Sequence, residues 1–170
     1  MERVDSMTEY NHIQHTFAPV YDGKSQLLIL GSFPSVKSRE QGFYYGHAQN
    51  RFWKVLAAIL NWEVPITIEE KKKMLLKNHI AIWDVIDSCD IKGSSDSSIR
   101  NVVPADIPGI LKKTQIQRVY ANGKTAGKLY QKLIQPDTEM EIIVLPSTSP
   151  ANAGCSLEKL VAIWGEQIRI

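Results

Sequence analysis

The chain has 170 residues, with 20 Lys and Arg against 18 Asp and Glu, and a formal net charge of +2. Apolar residues make up 44% and charged residues 22%, the balance of an ordinary globular domain, which excludes a disordered chain or a collagen-like repeat. Cys89 and Cys155 are too few for a disulfide framework, and no apolar run approaches the length of a membrane span.

Residues 1–16 are polar, lack a signal-peptide pattern and read as a less ordered arm of a single domain spanning 1–170. The first buried strand is expected at Gln26–Gly31, followed by a long loop, Ser32–Asn50. A helix is expected over Arg51–Leu60, where Phe52, Val55, Leu56 and Ile59 fall at helical spacing. A second runs over Thr67–Lys77, with Thr67 ahead of Glu69 and Glu70 as its capping pattern. A strand at Ile80–Ile86 leads into the loop Asp87–Asn101. Within that loop Gly93–Ser98, serines around Asp96, reads as a flexible surface segment. A helix over Pro104–Lys113 opens on a proline. Strands at Arg118–Asn122 and Glu141–Leu145 alternate with helices at Gly123–Ile134 and Ser156–Ile168.

The strands are almost continuously apolar, as strands covered on both faces are. Their alternation with helices implies parallel pairing by right-handed crossovers. The expected fold is therefore α/β: three layers, α/β/α, around a central, mostly parallel four-stranded sheet. Sites in such sheets lie beyond the carboxyl ends of the strands. That directs attention to Ser32–Asn50, Asp87–Asn101, Asn122–Lys124 and Pro146–Gly154.

Three segments there could carry chemistry. Gly31-Ser32-Phe33-Pro34-Ser35 makes a sharp, rigid turn with backbone N–H groups available to a ligand; it has neither a Walker lysine nor dinucleotide-type glycine spacing. Gln41–Trp53 holds three consecutive aromatics, Phe43, Tyr44 and Tyr45, then Gly46, in what reads as an exposed stacking loop. Phe52 and Trp53 read as core. Asn50 either caps the following helix or uses its amide on a base edge or a water, and His47 is a general base or a plain loop residue. Pro146–Gly154 is a stiff, hydroxyl-rich loop suited to a phosphate backbone, or simply a cap for the last helix. Cations cluster at Lys24, Lys37, Arg39, Arg51 and Lys54, and again from Lys112 to Lys132, as on a phosphate-backbone binder.

Leu28–Ser35, Tyr44–Trp53 and Leu145–Pro150, with Pro19–Asp22 upstream, together resemble the uracil-DNA glycosylase superfamily, and within it the hypoxanthine-DNA (deoxyinosine) glycosylase branch. The resemblance implies a monofunctional glycosylase of base excision repair. Such an enzyme flips a deaminated base (hypoxanthine, with uracil and xanthine as further candidates) out of DNA and hydrolyses its N-glycosidic bond. It implies no metal and no organic cofactor. Where many relatives carry an Asp or Asn to position water, this chain has Phe33; where they carry a His or Asn before Pro-Ser, it has Leu145. Asn50 is then the expected catalytic residue. The base pocket is expected from Gly31, Ser32, Phe33, Pro34, Tyr45 (stacking on the flipped base), Gly46 and His47. DNA contacts are expected from Ser35, Lys37, Lys124, Pro146, Ser147, Thr148 and Ser149, with the wedge somewhere in Thr148–Asn152. The partner is DNA, damaged duplex or single-stranded, and the protein a cytoplasmic monomer, nucleoid-associated in a prokaryote, with no membrane contact. Two rival readings are a DNA-binding module with weak or lost catalysis, and a small hydrolase using Ser32 or Ser147 with His47. The latter lacks a nucleophile elbow and an acid to orient the histidine. Roles for His12, His15 and Cys155 stay open.

Overall fold

The computed structural model describes residues 9–168. In chain order the elements are β1 (Asn11–Gln14), β2 (Leu27–Gly31), α1 (Val36–Gln41), α2 (Phe52–Leu60), α3 (Ile68–Lys77), β3 (Ile80–Asp84), β4 (Ile86–Ile91), a short 3₁₀ turn (Asp96–Ser98), β5 (Arg100–Pro104), α4 (Ile107–Lys113), β6 (Arg118–Asn122), α5 (Lys124–Leu133), α6 (Gln135–Thr138), β7 (Ile142–Leu145) and α7 (Leu157–Gln167). Strands β3, β2, β6 and β7 form a four-stranded sheet in that order, and every pairing is parallel.

The sheet is covered on both sides because its apolar strands need both sides covered. Leu27, Ile29, Ile80 and Ile82 face one layer with Phe52, Leu56, Met74, Leu75, Leu160 and Trp164. Leu28, Leu30, Ala81 and Ala121 face the other with Ile107, Ile110, Ala126 and Tyr130. Thr67 caps α3, its Oγ1 accepting from the Glu70 N–H at 3.1 Å. The register sets Gly31 opposite Asp84 and Asn122 opposite Leu145, so the strands' carboxyl ends share one edge. Among the described residues no helix is long and apolar enough to cross a membrane.

Five expectations need correcting. The strand expected over Ile80–Ile86 stops at Asp84, and the chain continues as β4 into a second sheet, antiparallel, in the order β1-β4-β5. Asp87–Asn101 is therefore not one loop, and Pro104 ends β5 instead of starting a helix. The following helix starts at Ile107, capped by Asp106, whose Oδ1 accepts from the Gly109 N–H at 3.1 Å. The arm expected over 1–16 lies partly outside the described residues, and its described part includes β1, held by β4. The loop Ser32–Asn50 contains α1, capped by Ser35 and closed by Gly42 at φ 72°.

Phe43 and Tyr44 are likewise not exposed for stacking. They are 5% and 2% exposed, and the Tyr44 hydroxyl donates to the Ala18 carbonyl at 2.9 Å. Packing against Trp53 and Phe17 removes this much aromatic surface from water.

Candidate active site

A cavity of about 640 Å³ opens at the carboxyl edge of the sheet. Of the expected residues, Gly31, Ser32, Phe33, Pro34, Ser35, Lys37, Tyr45, His47, Asn50, Ser147, Thr148 and Ser149 line it. Gly46 does not: its N–H donates to Ser38 Oγ at 2.9 Å, and a Cβ there would run into the Gln41 side chain. Pro146 and Lys124 border a neighbouring cleft, and the Pro146 carbonyl accepts from Trp164 Nε1 at 2.9 Å. Leu145, 1% exposed, belongs to the core.

The orientation of Asn50 follows from its neighbours. The Phe52 N–H donates to Asn50 Oδ1 at 3.0 Å, which identifies the oxygen, since a backbone N–H needs an acceptor. The Thr148 N–H donates to Asn122 Oδ1 at 3.0 Å, so Asn122 Nδ2 is the donor to Thr148 Oγ1 at 2.9 Å. The Thr148 hydroxyl then gives its proton to Asn50 Oδ1 at 2.8 Å. Asn50, one residue ahead of the N-cap Arg51, thus holds the first N–H of α2 with its oxygen and presents Nδ2, with no protein partner among the described residues, to the cavity. The two roles open in the sequence would therefore fall to different atoms of one amide.

His47 Nδ1 accepts from the Gln49 N–H at 3.1 Å. In the neutral ring the proton is then on Nε2, which makes that nitrogen a donor and not a base. That tautomer argues against a Ser–His hydrolase, and no acid among the described residues is hydrogen-bonded to His47 to orient it.

Tyr45 reaches the cavity through a backbone at φ 53°, a left-handed conformation that costs ~1–2 kcal/mol for a residue with a Cβ. One face of its ring lies on Phe52, with centroids 4.0 Å apart and 19° between planes. Its hydroxyl is buried without a hydrogen-bond partner. Burial, with the Asp84 carboxylate close by, pushes the phenol well above its usual range, and the nearby Asn122 amide only partly offsets this.

The cavity floor is built on Gly31 and Asp84, paired across β2 and β3. A Cβ at Gly31 would lie 2.5 Å from Asp84 Oδ1 and 3.0 Å from the Tyr45 hydroxyl, so only glycine fits this corner. Asp84 Oδ2 is held by His15 Nε2 at 2.9 Å, and both side chains are only 4% exposed. His12, in contrast, pairs with Asp90 on the outside of β1 and β4.

The Gly93–Ser98 segment, expected to be a free surface loop, is tied to the cavity rim. Ser32 Oγ donates to Asp96 Oδ1 at 2.9 Å, the Val36 N–H to Ser94 Oγ at 2.8 Å, and Arg39 Nη2 to the Gly93 carbonyl at 2.5 Å. Asp96 keeps solvent contact at the cavity wall, yet the atoms crowded around it raise its pKa; Asp84 adds to this and the Ser32 hydroxyl opposes it. A raised folded-state pKa favours folding below the ordinary aspartate value, and that contribution is lost as pH rises through the raised one. Asp96→Asn, which keeps an acceptor for Ser32, is therefore expected to raise the melting temperature at about pH 8, with the gain shrinking towards about pH 4. Melts at the two pH values check this; an equal gain at both would contradict it.

A family model for the uracil DNA glycosylase superfamily matches residues 18–166. The chain belongs to the uracil-DNA glycosylase superfamily. A Methanosarcina acetivorans protein named hypoxanthine DNA glycosylase is 34% identical over 142 residues, 82% of this chain and 89% of its own length. A protein of the same name from Methanosarcina barkeri is 31% identical over 156 residues, 90% and 96% of the two chains. A solution NMR structure of a candidate uracil DNA glycosylase from M. acetivorans superposes with a TM-score of 0.74 at 32% identity, covering 88% of this chain and 95% of its own. As a DNA glycosylase, the protein is a hydrolase acting on N-glycosyl bonds.

In this superfamily member the last loop is organised by Arg51. Its guanidinium donates to the carbonyls of Thr148 at 3.3 Å, Ser149 at 2.9 Å, Asn152 at 3.1 Å and Cys155. Arg39 serves the Gly93 carbonyl and lies over the Phe33 ring at 5.8 Å. Two of the cations counted towards a DNA-facing flank are therefore spent on the protein itself. Lys37 stays exposed, 3.6 Å from Glu40, a surface pair of little energetic weight.

Sequence reasoning gave no role to His15, Asp84, Asp96 or Asn122, although it singled out the loop that begins at Asn122. Asp84 and Asn122 carried a usable pattern, each being the polar last residue of an apolar strand. His15 and Asp96 carried none, because their partners lie far along the chain.

Proposed function

We propose that the protein is a monofunctional hypoxanthine-DNA glycosylase of base excision repair. The observation that carries this reading is the unpartnered amide donor, Asn50 Nδ2, at the wall of the cavity beside the half-buried Tyr45 ring. A flipped purine would lie against Tyr45, whose other face already rests on Phe52. Hypoxanthine offers O6 and N7 as acceptors to an amide donor, and charge builds on the base as the bond breaks, so a preorganised donor acts where it is most effective. A volume of about 640 Å³ is in the range of pockets that enclose small organic ligands.

The rim suits a DNA backbone. Ser147 Oγ accepts from the Ser149 N–H and Ser149 Oγ from the Ala151 N–H, each at 3.1 Å. Their own O–H protons stay available to phosphate oxygens. Ser35 is different, because its hydroxyl already donates to Ser38 Oγ at 3.1 Å, which leaves it a helix cap more than a DNA contact.

The test is a single-turnover assay with excess protein on end-labelled duplexes carrying inosine, uracil or xanthine opposite each base, with EDTA present and alkali to cleave abasic sites. Inosine duplexes are expected to be cut fastest, and only after alkali. The binding-module reading draws on Phe33, a side chain that cannot accept a proton, in the first loop. It predicts retained binding and no cleavage of any lesion.

A further inference from the structure

We infer that Asp84, held by His15, is the catalytic residue that takes the proton of the attacking water; this rests on the glycosylase reading above. Both oxygen-side valences of the Asn50 amide are committed, to the Phe52 N–H and the Thr148 hydroxyl. Asn50 is therefore equipped to donate to the leaving base, and water needs a different acceptor. Phe33 offers none, and the protonated Nε2 of His47 offers none.

Asp84 has the required features. It ends β3 at the cavity floor. Its Oδ2 is fixed by His15 Nε2 at 2.9 Å, while Oδ1 lies in the tight corner against Gly31, beside the unpartnered Tyr45 hydroxyl. His15 is locked in turn by rings: Phe17 at 4.5 Å, and Phe33 and Tyr44 at 6.0 Å. A carboxylate at the cavity wall with one oxygen anchored and the other free of a protein hydrogen bond among the described residues is a preorganised base.

The step balances as follows. The water oxygen bonds to the anomeric carbon as the bond from that carbon to the purine nitrogen breaks. The electron pair of that bond leaves on the purine, beside the Asn50 Nδ2 donor. The water proton passes to Asp84 Oδ1. The purine is then protonated, Asp84 loses its proton, and one water has been added overall. The anionic side chain also opposes the positive charge that develops on the sugar.

Single-turnover rates on inosine DNA, counted per binding-competent molecule from active-site titration, test this. Wild-type cleavage secures the glycosylase reading by itself. Asp84→Asn is expected to bind the inosine duplex within about threefold of wild type and to cut it ~100-fold or more slowly. Asp84→Ala is expected to recover part of its rate with added formate, a small carboxylate that fits the vacated space, which a structural role would not produce. Active wild type with Asp84→Asn within about threefold of its rate, or no response of Asp84→Ala to formate, would overturn the assignment. If neither variant folds, His15→Gln, which keeps a donor for Asp84, is expected to outpace His15→Leu by ~10-fold or more; equal rates would overturn it too.

Discussion

Asn50→Ala is expected to lower the single-turnover rate on inosine DNA by ~100-fold or more, the usual effect of deleting one preorganised donor to a developing anion, while DNA binding survives. The sharper variant is Asn50→Asp. Aspartate keeps an oxygen for the Phe52 N–H and the Thr148 hydroxyl, the two contacts that fix Asn50 now, so the fold and the start of α2 should persist. It replaces the free donor with an anion beside the leaving base, so activity should fall at least as far as in Asn50→Ala. Were Asn50 instead an acceptor that orients water, Asn50→Asp would keep or raise the rate. Rate and duplex affinity measured side by side for both variants separate the two roles.

Arg51→Ala is expected to be the most damaging change outside the cavity wall. One guanidinium gathers four carbonyls of the last loop, and the Arg51 N–H adds a further contact to Thr148 O at 3.1 Å. Hydrogen bonds from a charged donor contribute ~1.5–3 kcal/mol each, although water replaces part of this once the loop is released. A net loss of about 3 kcal/mol corresponds to a melting temperature lower by about 6–12 °C. The Thr148 relay to Asn50 would loosen with the loop, so catalysis should fall with stability. Arg51→Lys is expected to restore little, because a point ammonium with three donors cannot span four fixed carbonyls. Calorimetry and hydrogen exchange over residues 147–155 check this; unchanged protection there in Arg51→Ala would contradict it.

The parallel core was legible because its strands carry their own evidence. Leu27–Leu30 is apolar at every position and is buried on both faces, as its short unbroken apolar run between turn residues and its alternation with helices predict. The second sheet was not. In β4, Asp87, Ser88 and Asp90 interrupt the apolar pattern, and the strand is completed by the distant Asn11–Gln14, a pairing that no local spacing announces. The candidate site divides in the same way. The glycine–proline turn at Gly31–Ser35 and Asn50 stand out by residue type and position. The Phe52 N–H fixes which atom of Asn50 is the oxygen, and the relay from Asn122 through Thr148 that holds it there forms only when β6 pairs with β7. Arg51 shows the converse: its charge suggested DNA, and tertiary structure turns it inward. The Asp84–His15 pair needs both sheets to exist before the two side chains can meet.

Release of the free base is the most direct test of the central claim. Excess protein would be incubated with a duplex carrying one inosine, and the products read by mass spectrometry without alkali. Free hypoxanthine, in amounts matching an intact strand with one abasic site, is the predicted result. A duplex that is bound but retains its base, or a strand nicked with the base still attached to its sugar, would contradict it.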